Sequence, residues 1–138
     1  MIAMRKMSRK SLVRLADKAF GDFIKARDNH TCATCGATEY GSTMDCGHLF
    51  SRVAYSTRWD ERNAFAQCRS CNLIHEYDAG PLTLAFLNKY SALEYETLHT
   101  LYRTTVKYHD ADLKNIITEY RRKLADLSEG GGHACGHF

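Results

Sequence analysis

Cys32-Ala33-Thr34-Cys35 and Cys68-Arg69-Ser70-Cys71 are two Cys-x-x-Cys pairs, and between them the chain carries Asp45-Cys46-Gly47-His48 and Asn63. A Cys-x-x-Cys turn places two sulfurs on one side, so two such turns complete a tetrahedron of thiolates, the ligand set of a structural Zn²⁺. Gly36, directly after the first pair, permits the positive φ that frees backbone N–H groups to face sulfur. The insert is longer than a plain zinc ribbon needs and has room for a hairpin. Ordering it costs conformational entropy, which zinc binding would offset. A zinc knot around a polar, basic insert points to nucleic-acid chemistry.

At 138 residues the chain fits one domain with helical extensions. Its 44% hydrophobic and 25% charged content is that of a soluble globular protein. No apolar run is long enough to span a bilayer, and Met1-Ile2-Ala3-Met4-Arg5-Lys6 lacks the apolar stretch of a secretory signal. An intracellular protein without a membrane partner is expected. In a reducing compartment its six cysteines read as metal ligands or free thiols rather than disulfides. The net charge is only +3, but Arg5, Lys6, Arg9, Lys10, Arg14 and Lys18 cluster near the start, with Arg121, Arg122 and Lys123 near the end. Such patches suit phosphate contacts, or else form solvated helix faces.

Leu12, Leu15, Ala16, Ala19, Phe20, Phe23 and Ile24 recur at helical spacing and predict an amphipathic helix from Ser11 to Arg27. Residues from Thr43 to Arg52 predict the first strand of a hairpin and its exit, and Arg58 to Ala66 a loop returning to a second short strand. A short helix is expected from Cys68 to Asp78, broken by Gly80-Pro81, and another up to Tyr90. Ser91-Ala92-Leu93-Glu94 has the form of a capping box for a helix to Lys107 that buries Leu93, Leu98, Leu101 and Tyr102. Asp110 would cap a last helix with Leu113, Ile116, Ile117, Tyr120, Leu124 and Leu127 on one face. The glycine run after Ser128 predicts a flexible tail. The expected organisation is a basic arm over 1–10, a zinc-stapled domain over 11–107, a helix over 108–127 and a tail over 128–138.

Among the polar residues, His48 is the candidate base. It stands near the end of a strand beside Gly47, which allows close backbone approach, and Arg52, Arg58, Arg62 and Arg69 follow. A neutral imidazole can deprotonate a water that attacks phosphorus, a divalent cation can stabilise the leaving oxygen, and guanidinium groups clamp phosphates. Asn63 is either an ordinary turn residue or a brace for the backbone around the base. Asn72 and Glu76, four apart on one helix face beside His75, could share a cation with the hairpin, or be a cap and a solvated carboxylate. Cys46 is a further soft ligand or a buried small apolar residue. His133, Cys135 and His137 have the composition of a metal-binding tail or belong to a disordered terminus.

These residues together resemble a zinc-stapled HNH endonuclease of the ββα-metal type, and within it the phage NinG (Rap) recombination proteins. The stretches that carry the likeness are Ala19-Phe20, Ile24 to Asp28, Cys46 to Arg52, Thr57 to Asn63, Ala66-Gln67-Cys68 and Cys71-Asn72, with Gly80 and Lys89-Tyr90 continuing it. It covers residues from about Leu12 to Lys107. The resemblance implies an α+β, mostly helical fold, in which a ββα-metal core stapled by zinc on four cysteines lies between an N-terminal helix and C-terminal helices. It implies a nuclease that needs Mg²⁺ or Mn²⁺ and cuts branched DNA such as Holliday junctions or D-loops. By position, His48 becomes the general base, Asn63 the brace and Asn72 the last metal ligand. One departure stands out: many HNH enzymes carry an Asp or His ligand just before the base, where this chain has Gly47. Asp45 or Glu76 would have to replace it, and Asp45, three residues from His48, would face away from it along a regular strand. A non-catalytic zinc-dependent DNA-binding module is the rival reading, and a redox-sensing thiol protein a third. The C-terminal helices offer a surface for a homodimer.

Overall fold

The computed structural model describes residues 6–38 and 44–135, of which 130–135 by backbone alone. Ser8 opens the first helix: its hydroxyl oxygen accepts the Ser11 N–H at 3.2 Å, so α1 spans Arg9–Arg27 and starts two residues before the expected Ser11. The strand expected over Thr43 to Arg52 is shorter, β1 Met44–His48. It pairs antiparallel with β2 Ala64–Cys68, Met44 opposite Cys68 and His48 opposite Ala64. The connection expected to be a loop holds a one-turn helix, α2 Tyr55–Arg58, and a 3₁₀ turn at Glu61–Asn63 that leads into β2. α3, Arg69–Ile74, is shorter than expected, since residues from His75 onwards form turns. α4 spans Gly80–Lys89 with Pro81 in its first turn, and α5 spans Ala92–Tyr102 with Ser91 Oγ accepting the Glu94 N–H at 3.1 Å. The α5 end expected at Lys107 falls five residues earlier, and Leu93 is 71% exposed rather than buried.

α6, Asp110–Cys135, begins at Asp110 itself: Leu113 N–H donates to the His109 carbonyl, and Asp112 takes the His109 N–H at 2.8 Å. The cap is therefore His109, and the backbone stays helical beyond the end expected at Leu127. Arg5, Thr43, His137 and the side chains of His133 and Cys135 lie outside the described residues.

The molecule is mostly helical, with one small two-stranded sheet. α6 lies along α1 and runs in the same direction, as Arg9 reaches Asp110 at 3.2 Å while Phe23 meets Tyr120. Leu12, Ala16, Phe20, Ile24, Leu113 and Ile117 fill the seam together with Trp59 and Ala64. The face of α6 that carries Leu113, Ile117 and Tyr120 is thus covered by α1 of the same chain. A second cluster of Leu49, Phe65, Leu82, Phe86 and Leu98 lies beneath α4 and α5.

α1 ends by gripping the sheet. Asp28 pairs with Arg27 and accepts the Ala66 N–H at 2.8 Å, while Arg27 donates to the carbonyls of Glu61 and Ala64. The outer edge of β2 is in this way closed by side chains, which an edge strand otherwise leaves unpaired. β1 is held between α1 and the sheet partner, and α3 packs on its other face.

Candidate metal centre and adjoining cleft

Cys32 and Cys35 sit on a tight loop closed by the Thr31–Thr38 bridge, with Cys32 N–H donating to Ala37 and Gly36 N–H to Cys32. Gly36 adopts φ +79°, the left-handed conformation the knuckle turn demands. Cys68 and Cys71 stand at the start of α3. All four sulfurs lie within 4.8 Å of one another, and Cys35 Sγ is 3.8 Å from Cys68 Sγ. Bonds of about 2.3 Å to a tetrahedral zinc separate sulfurs by about 3.8 Å, so the cluster can hold a metal ion such as zinc.

The thiols are unequal. Burial pushes Cys32 up, but hydrogen bonds from the Thr34 hydroxyl and from backbone N–H groups outweigh it and bring the thiol down to about 6. At Cys71 the Thr34 contact lowers the value, while burial and the neighbouring sulfurs push it up to about 12. Binding a metal to all four therefore releases protons. Cys46 is not part of this cluster: its side chain packs on α1 beside Gly21, and burial pushes its thiol up to about 12.

Beside the metal centre opens a cleft of about 760 Å³. Asp45, His48, Arg52, Asn72 and Glu76, named from the sequence, all line it, together with His75. Directly opposed residues in an antiparallel pair share a face, which puts Asp45, Gly47, Phe65 and Gln67 on one side of the sheet. Asn72 of α3 meets that side, its Nδ2 donating to Asp45 Oδ2 at 3.2 Å. His48 is on the other side, where its ring tilts against Phe20 of α1. Asp45 does face away from His48, as expected, yet the side it shares with Gly47 is the one Asn72 meets, so the regular strand itself brings Asp45 to Asn72.

His48 Nε2 is 2.9 Å from the Arg58 carbonyl. A carbonyl only accepts, so Nε2 carries the proton and Nδ1 keeps its lone pair. Burial lowers the imidazole from 6.5 to about 4, with Arg52 and Arg58 acting in the same direction against the Arg58 carbonyl. The ring is neutral at pH 7. Asn63 is fully buried behind it: Oδ1 accepts the Phe50 N–H at 2.8 Å, and Nδ2 donates to the Phe50 and Thr57 carbonyls at 3.0 Å each. Asn63 ties both ends of the loop that follows β1, including the α2 turn that presents the Arg58 carbonyl.

The arginines divide. Arg58 is bound by both oxygens of Asp17, at 2.9 and 2.6 Å, and lies against Tyr55 and Trp59. Arg62 is bound by both oxygens of Asp60. Neither lines the cleft, so neither is placed as the phosphate clamp expected from the sequence. Arg52, 57% exposed at the cleft, and Arg69, 68% exposed beside Asp45, remain open to solvent. Sequence reasoning missed Asp17, which resembles any other polar residue on α1, although it also accepts the Trp59 indole N–H. It also missed Gln67, a polar residue inside the buried strand Ala64–Cys68 and itself 1% exposed. Among the described residues no helix is long and apolar enough to cross a membrane.

The family model described as "Bacteriophage Lambda NinG protein" matches residues 3–130. Proteins named "Protein ninG" from Escherichia phage 933W and Salmonella phage P22 are each 30% identical over 128 residues, which is 89% of this chain and 61% of theirs. The protein of that name from Escherichia phage lambda is 29% identical, over 89% of this chain and 60% of its own. No solved structure matches the chain. The chain spans about three fifths of the length of these relatives. With a family model matching nearly its whole length, the chain belongs to the NinG family of phage lambda-like proteins.

Proposed function

We propose that this chain is a zinc-stapled HNH-type endonuclease that hydrolyses phosphodiester bonds in branched DNA, Holliday junctions or D-loops. The observation that carries the reading is the His48 ring, neutral, with Nε2 fixed on the Arg58 carbonyl and Nδ1 left as a base at a cleft shared with Asp45 and Asn72. The four thiolates hold Zn²⁺ as a staple, bringing β1, β2 and α3 into the ββα arrangement of the metal-dependent nucleases. Asp45, Asn72 and Glu76 offer only oxygen donors at this cleft, a hard set that suits Mg²⁺ or Mn²⁺. Such a cation, when bound, would stabilise the charge that develops on the phosphate oxygens.

The chain's own residues have separate tasks. His48 Nδ1 takes a proton from the attacking water. Asn63 holds the loop that orients His48. Arg52 and Arg69 grip phosphates, while Arg58 acts from behind, as its carbonyl fixes the base and its guanidinium anchors the loop to Asp17. Lys18 of α1, paired with Asp22 at 2.9 Å, and Arg121 of α6 line one small hollow, so basic groups from both ends of the sequence stand near each other where a DNA arm could lie.

The test is cleavage of a labelled four-way junction and a matching linear duplex with Mg²⁺, with Mn²⁺ and with EDTA, beside His48→Ala. Metal-dependent cutting of the junction, lost in a variant that still binds zinc and DNA, is expected. Tight binding without cutting under every metal would leave a zinc-dependent DNA-binding module.

A further inference from the structure

The cleft raises a question that Asp45 and Asn72 do not answer: what stands where position 47 has no side chain. A Cβ built on Gly47 would fall 2.0 Å from Gln67 Oε1 and 3.1 Å from Asn72 Oδ1. The hollow above Gly47 is thus already taken by the Gln67 amide, and two amide oxygens converge on it. Gln67 is 1% exposed, and its Oε1 is buried with no hydrogen-bond partner. A buried carbonyl oxygen left unpartnered costs free energy, which a ligand at that oxygen would recover.

The orientation of the amide follows from the metal centre. Thr34 Oγ1 is 3.2 Å from Cys32 Sγ and 3.5 Å from Gln67 Nε2. A metal-bound thiolate only accepts, so the hydroxyl spends its proton on Cys32 and offers Gln67 a lone pair. Nε2 turns to Thr34, and Oε1 is left towards Gly47. Asp45, directly opposite Gln67 in the sheet and bonded to Asn72, completes a set of one carboxylate and two amide oxygens.

We infer that Gln67 supplies, through Oε1, the cation ligand that Gly47 cannot, acting with Asp45 and Asn72. The inference rests on the cation-dependent reading of the cleft and adds a residue from β2 that does not line the cleft itself but the neighbouring hollow, with Thr34, Cys71 and the shared His75. Gly47 is then part of the site because it is small: any side chain there would displace the Gln67 amide.

The experiment is Mn²⁺ binding to the full, zinc-loaded chain, followed by titration calorimetry and by the Mn²⁺ electron spin resonance signal, for the parent, Gln67→Met and Gln67→Glu. Zinc content and thermal unfolding are measured on each. Gln67→Met, which keeps the shape and removes the oxygen, should weaken Mn²⁺ binding by on the order of tenfold or more, while Gln67→Glu keeps it. Equal affinity in parent and Gln67→Met, or equal loss in the Met and Glu variants, would overturn the role of Gln67 alone. No Mn²⁺ binding by the parent would overturn both this inference and the cation in the proposed function.

Discussion

His48 and Asn63 show how a residue's environment decides its chemistry. The imidazole drops from 6.5 to about 4 because it is buried, so the folded protein binds fewer protons at this site than the unfolded chain between those values. Stability is therefore full above pH 6.5 and is lost as pH falls towards 4, by on the order of 3 kcal/mol at most. Chemical denaturation at stepped pH should show that slope, and His48→Asn should flatten it. The same low value keeps the His48 ring, the candidate base, unprotonated at pH 7. Asn63→Ala removes three hydrogen bonds and leaves the Phe50 N–H and two carbonyls buried without partners. Urea unfolding should register a loss of about 3 kcal/mol, with zinc retained.

At the scale of elements, the joint between α1 and β2 matters more than the number of ion pairs. Asp28 is largely buried, takes the Ala66 N–H and holds Arg27 against the Glu61 and Ala64 carbonyls. Asp28→Ala should destabilise the fold by roughly 2–3 kcal/mol, because a buried charge loses its partner and a strand edge reopens. Lys123 also bridges elements, from α6 to Glu61 at 2.6 Å, but both groups are about one third exposed. Solvent screening leaves Lys123→Ala a cost below about 1 kcal/mol. Thermal melts of the two variants side by side distinguish a structural joint from a surface pair. α1 and the four-cysteine cluster were legible from periodicity and spacing, while the α2 turn was not, since Tyr55–Arg58 is too short for a period to register.

For the molecule as a whole, the cysteine cluster brings the loop of Cys32 and Cys35 to the start of α3, and besides it only Ala33 of that loop packs on a described apolar cluster, that of Leu49 and Phe65. Among the described residues the cysteine loop reaches β2 through few polar contacts, Ala33 N–H to the Ala66 carbonyl and Gln67 Nε2 to Thr34 Oγ1. Removing zinc with a strong chelator should therefore unfold the cleft before the α1–α6 seam, seen as faster amide exchange in β1 and α3 than in α1. Since the metal takes thiolates and the group at Cys71 is held protonated up to about 12, zinc affinity should fall with acid. DNA binding should weaken with rising salt in proportion to the phosphates contacted, and Arg52→Ala or Arg69→Ala should reduce that slope.

The sequence by itself determined the four-cysteine cluster that can hold a metal ion, the helix α1, the candidate base and the family resemblance, because ligand spacing and helical period are local properties. Where the arginines go was decided only in three dimensions: Arg58 and Arg62 are largely buried against Asp17 and Asp60, while Arg52 and Arg69, though paired with Asp17 and Asp45, stay mostly exposed. The reach of Asp45 to Asn72 likewise depends on sheet register and on the position of α3. So does the lodging of Gln67 over Gly47, which joins two strands through a contact that no spacing along the chain encodes.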